Sequence, residues 1–238
     1  MEQTVEYKGY KIEVKHDSYP ESPNDWGCDE CFLVYQHRNF NIERDGFYPQ
    51  NIHSYLEILN IIKNHSNLTT EQLEEYNDEL STYTDYNKDY FIFPVEAYIH
   101  SGVSISLFKG NKQCRFDSSV TGFILVARNY ADDNVEQAEL YAEGLIETWN
   151  HYLSGNVYGF VTYENKPDYI ISKELFDRWV EDNISILDVR DKMILRDDWY
   201  EIDSCWGYYG DPNISGLLEE AKSVIDNLMK RHEEQRTT

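Results

Sequence analysis

The chain has 238 residues, of which 44 are Asp or Glu and 21 are Lys or Arg, for a formal net charge of -23 at pH 7. That balance excludes direct nucleic-acid binding and attraction to an anionic membrane, while 20 Tyr, 10 Phe and 5 Trp supply enough aromatic bulk to exclude disorder throughout. The length suits a single domain over residues 1–238, with 81–89 as a soft boundary between an N-terminal lobe and a main lobe.

In chain order, VEYKGYKIEVKH alternates Val5, Tyr7, Tyr10, Ile12 and Val14 around Lys8-Gly9, which predicts a hairpin with a two-residue turn. HDSYPESPNDWGCDE is a loop, and CFLVYQHRNF, Cys31 to Phe40, resumes as strand. From Asn51 the period lengthens: Ile52, Tyr55, Leu56, Leu59 and Ile62 predict a helix, and Thr69 or Thr70 opens a second. The polar stretch 81–89 is loop-like. Tyr90 to Phe108 returns to β, and Gly122 to Arg128 is the most apolar strand.

Asp132 to Leu153 is the clearest helix, with Val135, Ala138, Ala142, Leu145, Ile146, Trp149, Tyr152 and Leu153 on one face and Gly155 placed to stop it. A strand from Val157 to Tyr163, a short helix in KELFDRWVEDN, a strand in RDDWYEIDSCWGYYG and a helix from Ser215 to Glu234 follow. Without regular βαβ alternation this predicts an α+β fold. Its parts are a mainly antiparallel sheet covered by an amphipathic helix, a small helical pair and a C-terminal helix. No cationic and apolar leader opens the sequence and no stretch approaches a membrane span, so a cytoplasmic protein is expected.

The chemistry-bearing motifs are sparse. CDEC, Cys28 to Cys31, has a spacing that can grip zinc, but a zinc site needs two further ligands, and Cys114, Cys205 and His16 are not at ligand spacing. Acids around the thiols also oppose a reactive thiolate. Structural cysteines, no cofactor and folding without metal are therefore expected. His, Ser and Asp occur without the spacing of a nucleophile elbow, a Walker loop or a zincin helix.

Four blocks, IHSGVSIS at 99–106, FDSSVTGFILVAR at 116–128, ETWNHYLSGNVYGFV at 147–161 and DSCWGYYG at 203–210, resemble an uncharacterised family found in phage, prophage and plasmid genomes. The resemblance spans roughly 90–210 and departs from the family pattern at CRFDS. It implies a mobile-element origin, hence the cytoplasm of a host, and no assigned activity. Within these blocks His100, Ser101, Asp117, Ser118, Asp203, Trp206 and Tyr208 are pocket candidates. One expectation is that His100, Asp117 and Asp203 converge as a polar, ligand-binding or hydrolytic pocket walled by Trp206 and Tyr208. The other is that the DSCWGYYGD segment is a packing element in which glycines let the backbone turn.

Charge patterning carries the leading expectation. Asp132, Asp133, Glu136, Glu139, Glu143 and Glu147 put six acids and no base on one helix face. At about 1.5 Å rise per residue they recur every ~4.5–6 Å, roughly the scale of phosphates along a strand. Glu71, Glu74, Glu75, Asp78 and Glu79 form a second acidic stretch. A mobile-element protein with such faces is expected to bind a basic partner, a host nucleic-acid-binding or defence protein, and to occlude its groove by mimicry without catalysis.

Overall fold

The computed structural model describes residues 3–37, 40–64, 68–110, 118–166, 168–181 and 193–236. Strands β1 (Gln3–Tyr7) and β2 (Tyr10–His16) form the expected hairpin, with Tyr7 opposite Tyr10. Lys8 and Gly9 both have positive φ, 52° and 82°, the mirror-image turn whose twist matches antiparallel strands. A 3₁₀ turn over Pro23–Trp26 interrupts the loop. β3 (Cys31–His37) and β4 (Phe40–Ile42) then replace the single strand read from the sequence. α1 (Pro49–Asn64) follows, then α2 (Thr70–Ser81), whose Thr69 hydroxyl accepts from Gln72 N–H while Gln72 Oε1 accepts from Thr69 N–H. The segment expected as loop contains one helical turn, α3 (Tyr86–Asp89), because Tyr86 is buried against Tyr55.

β5 (Tyr90–Ile99), β6 (Val103–Leu107) and β7 (Ser118–Ala127) precede α4 (Val135–Leu153). Beyond Gly155, which ends α4 with Asn156 N–H donating to His151 C=O, come β8 (Val157–Asn165), β9 (Asp168–Ile170) and α5 (Lys173–Glu181). β10 (Ile194–Arg196), β11 (Trp199–Tyr209) and α6 (Leu217–Arg236) complete the order. The fold is α+β, and every strand pair among the described residues is antiparallel. Among the described residues no helix is long and apolar enough to cross a membrane.

The chain divides into two compact units, Met1–Tyr19 with Val157–Thr238, and Pro20–Asn156. The division falls at 19/20 and 156/157, and 81–89 lies inside the second unit. In the first unit the sheet order is β1-β2-β8-β11, beside a separate β9-β10 ribbon. One sheet face, carrying Ile12, Val14 and Phe160, buries Leu217, Leu218, Ala221 and Ile225 of α6. That alternation follows from the two-residue period of strands meeting the helical period of the C-terminal segment.

In the second unit the order is β4-β3-β7-β5-β6, and the sheet is covered on both faces. Leu33, Tyr35, Val95, Ala97, Ile124 and Val126 face Ala138, Ala142, Ile146 and Trp149 of α4. Phe32, Val34, Phe123 and Leu125 face Ile52 and Tyr55 of α1, with Tyr86 of α3. A strand buried on both faces reads as a continuous apolar run, which is why FILVA stands out in the sequence.

Candidate functional site

The acids of α4 are less isolated than the sequence suggests. The helix begins at Val135, where the Asn134 side chain accepts from the Glu136 and Gln137 N–H groups. Asp132 and Asp133 therefore lie in the preceding turn with φ near 50°, off the helix on which they were counted. Arg128 donates to Asp133 at 2.7 Å while its guanidinium lies over Phe91. Lys109, just beyond β6, sits between Glu143 at 2.9 Å and Glu139 at 3.3 Å, and those two carboxylates raise its pKa. Glu147 lies 3.9 Å from His151. A face of six acids without a base is thus four helical acids, two of which share a lysine. The bases come from other elements, which a helix-by-helix reading does not count. Val135 and Leu140 are also exposed, so the apolar face begins at Ala138.

α2 is different. Glu71, Glu74, Glu75, Asp78 and Glu79 are all exposed, and no ion pair engages any of them among the described residues. The helix buries no side chain fully. Glu71 with Glu75, Glu75 with Glu79, and Glu74 with Asp78 stand four residues apart, where like charges repel by about 0.2–0.5 kcal/mol a pair.

The CDEC segment is closed by Arg44, which pairs with Asp29 and donates to the Cys28 carbonyl at 3.1 Å while lying 4.2 Å over the Phe32 ring. Burial pushes the Cys31 thiol up to about 12, which favours a neutral SH over a nucleophile or metal ligand. Among the described residues no group of three or more His, Cys, Asp or Glu could hold a metal ion.

The pocket candidates are divided between the units. His100 and Ser101 form the β5–β6 turn of the second unit, with His100 N–H donating to Gly102 C=O and its ring stacked on Tyr98 at 6.3 Å. Ser118 opens β7 opposite Tyr98, and Asp117 lies outside the described residues. Asp203, Trp206 and Tyr208 belong to β11 of the first unit. Asp203 is exposed and its Oδ1 accepts from Ser204 N–H at 2.9 Å. Cys205 and Tyr208 pack toward Phe160 and α6, and burial together with hydrogen bonds to Cys205 and Glu220 raises the Tyr208 pKa. Trp206 covers Gly159, where a Cβ would come within 2.4 Å of the indole. A register shift between Cys205 and Tyr208 lets these two residues, three apart in the chain, share the face that packs on α6 while Trp206 covers Gly159, so much of the aromatic density of DSCWGYYGD is sheet packing.

One concave site was not read from the sequence. A cleft of about 500 Å³ in the second unit is lined by Gln36, His37, Asn41, Pro49, Gln50, His53, Val120, Thr121 and Phe123. Its polar members come from the ends of β3 and β7, from β4 and from the first turn of α1. The available signal was a change of polarity within strands, VYQH after CFL and SVT before GFILV. The chain matches no family model, no curated protein and no solved structure in comparisons with each.

Proposed function

We propose that the protein works by binding, presenting α2 and the outer face of α4 to a basic groove of a nucleic-acid-binding protein, and that it blocks that groove without chemistry. The observation that supports this reading is the set of five exposed carboxylates on α2 that no ion pair engages among the described residues. Such a row weakens its own helix through repulsion, and a cationic partner would relieve that repulsion on binding. Glu136 and Glu147 extend the acidic surface on α4, while Glu139 and Glu143 are already held by Lys109. The resemblance to a mobile-element family supports a host protein as the partner.

The test is capture from a bacterial host lysate, followed by competition. A partner that is released by duplex DNA and by added salt, and that is not captured when Glu75 and Asp78 are replaced by Lys, supports the proposal. A partner retained equally by that variant and indifferent to DNA overturns it.

A further inference from the structure

The α1-side face of the five-stranded sheet changes character along its length. Under α1 it carries Phe32, Val34, Phe123 and Leu125. Two residues further along β3, the alternation that points Phe32 and Val34 at α1 brings Gln36 to the same face, opposite Asn41 of β4. On β7 the next position on this face is Thr121, at a bulge where Val95 pairs with Gly122 and Glu96 with Val120. Glu96, only 2% exposed, stands opposite Ser106 of β6. Asn41, Gln36, Thr121, Glu96 and Ser106 thus form a polar row across five strands, beginning where the apolar floor ends. The cleft lies over the Asn41, Gln36 and Thr121 part of this row.

The lining chemistry is selective. Three primary amides, Gln36, Asn41 and Gln50, join two imidazoles and one hydroxyl, and Phe123, Val120 and Pro49 supply the apolar part. Among the described residues no carboxylate lines the cleft, although 44 of the chain's 238 residues are acids. Asn41 Oδ1 accepts from His37 N–H at 2.9 Å, which fixes that amide and leaves its Nδ2 to donate. A primary amide presents a donor beside an acceptor, the complement of a heterocycle edge that does the same. The volume falls within the usual range for small-molecule sites, about 300–1,000 Å³.

We propose that this cleft is a small-molecule site for a nucleoside-type ligand. Its flat ring would lie against Phe123 and Val120, and its donor–acceptor edge would be read by Asn41, Gln36 and Gln50. The site is independent of the acidic surface on α2.

The experiment is calorimetric titration of the whole protein with adenosine, guanosine, cytidine and uridine, with ribose as the control. At least one nucleoside should bind with one-to-one stoichiometry at submillimolar concentration while ribose does not. Asn41→Asp and Gln36→Glu, which keep the shape and remove a donor from exposed positions, should each weaken binding by roughly tenfold or more. Val120→Trp should abolish it by filling the cleft. If Val120→Trp does not fold, the two surface variants carry the test alone. Absence of binding by all four nucleosides, ribose binding equally well, or binding unchanged in Asn41→Asp and Gln36→Glu would overturn the proposal.

Discussion

α2 and α4 carry similar acidic sequences and behave as two different kinds of surface. α4 is anchored by Ala138, Ala142, Ile146 and Trp149, and the acids on its outer side draw Lys109 and, through the preceding turn, Arg128. α2 has a reciprocal cap, no fully buried residue and five carboxylates that no base engages among the described residues. The contrast separates acids that the fold has absorbed from acids that it leaves to solvent or a partner. Under the proposed binding role, α2 rather than α4 is the larger unengaged acidic surface among the described residues.

The largest effect should come from the anchored helix. Trp149 is 2% exposed within the α4 core, and its buried Nε1 has no hydrogen-bond partner among the described residues, so its contribution there is packing. Trp149→Ala should cost about 3–5 kcal/mol in denaturant unfolding, and Trp149→Phe much less. A loss below 1 kcal/mol for the alanine variant would show that α4 is no better anchored than α2, and the comparison would fail.

On α2 the expected sign is opposite. Glu75→Lys with Asp78→Lys turns the repulsive pairs with Glu71, Glu79 and Glu74 into attractive ones, so the variant should gain about 1 kcal/mol while losing partner binding. The equivalent reversal at Glu139 and Glu143 would surround Lys109 with like charge and should lower stability. Melting curves of the two double variants, taken side by side, test whether the helices differ as described.

The local elements were legible where a single segment contains its own signal. The Lys8-Gly9 turn, the Thr69 cap, the start of the α1 period and Gly155 after α4 all lie within a few residues of what they specify. What was not legible depends on partners distant in the chain. β2 pairs with β8, which closes the first unit across 140 residues of intervening chain, and nothing in either strand names the other. Lys109 pairs with Glu139 and Glu143 from another element and offsets one of their two charges. The polar row that underlies the cleft exists only once Gln36, Thr121 and Glu96 are placed on adjacent strands. Glu96, a lone acid in YFIFPVEAYI, was the visible trace of it.

A paired carboxylate in the first unit provides a third comparison. Glu13 lies between Lys11 at 2.8 Å and Lys15 at 2.9 Å, and these hydrogen bonds depress its pKa to about 2. A depressed carboxyl contributes stability above its unfolded value near 4.5, and loses that contribution as pH falls through 4.5 toward 2. Acidification also relieves the overall negative repulsion, so the raw curve mixes two opposing effects. The difference between wild type and Glu13→Gln isolates the pair. It should be about 1 kcal/mol at pH 7, after screening of a partly exposed pair, and near zero at pH 2. A difference independent of pH would remove the charge interaction as its cause.

The smallest effect is expected at Lys109, and it bears directly on how the two acidic helices differ. Its ammonium is exposed, so solvent and salt weaken the bridge to Glu139 and Glu143, yet it is the one cation placed between two acids of α4 among the described residues. Lys109→Met should lower the melting temperature slightly at low ionic strength and have less effect in high salt. Because the Lys109 pKa is raised by the two carboxylates, its contribution is complete below the ordinary lysine value of 10.5 and is lost as pH rises through the higher folded value. Combining Lys109→Met with Glu143→Gln should produce less loss than the sum of the single changes, since each removes the same interaction. Strict additivity at low salt would mean that the lysine and the carboxylates do not sense each other. The acids of α4 would then be as free as those of α2, and both helices would contribute equally to an acidic binding surface.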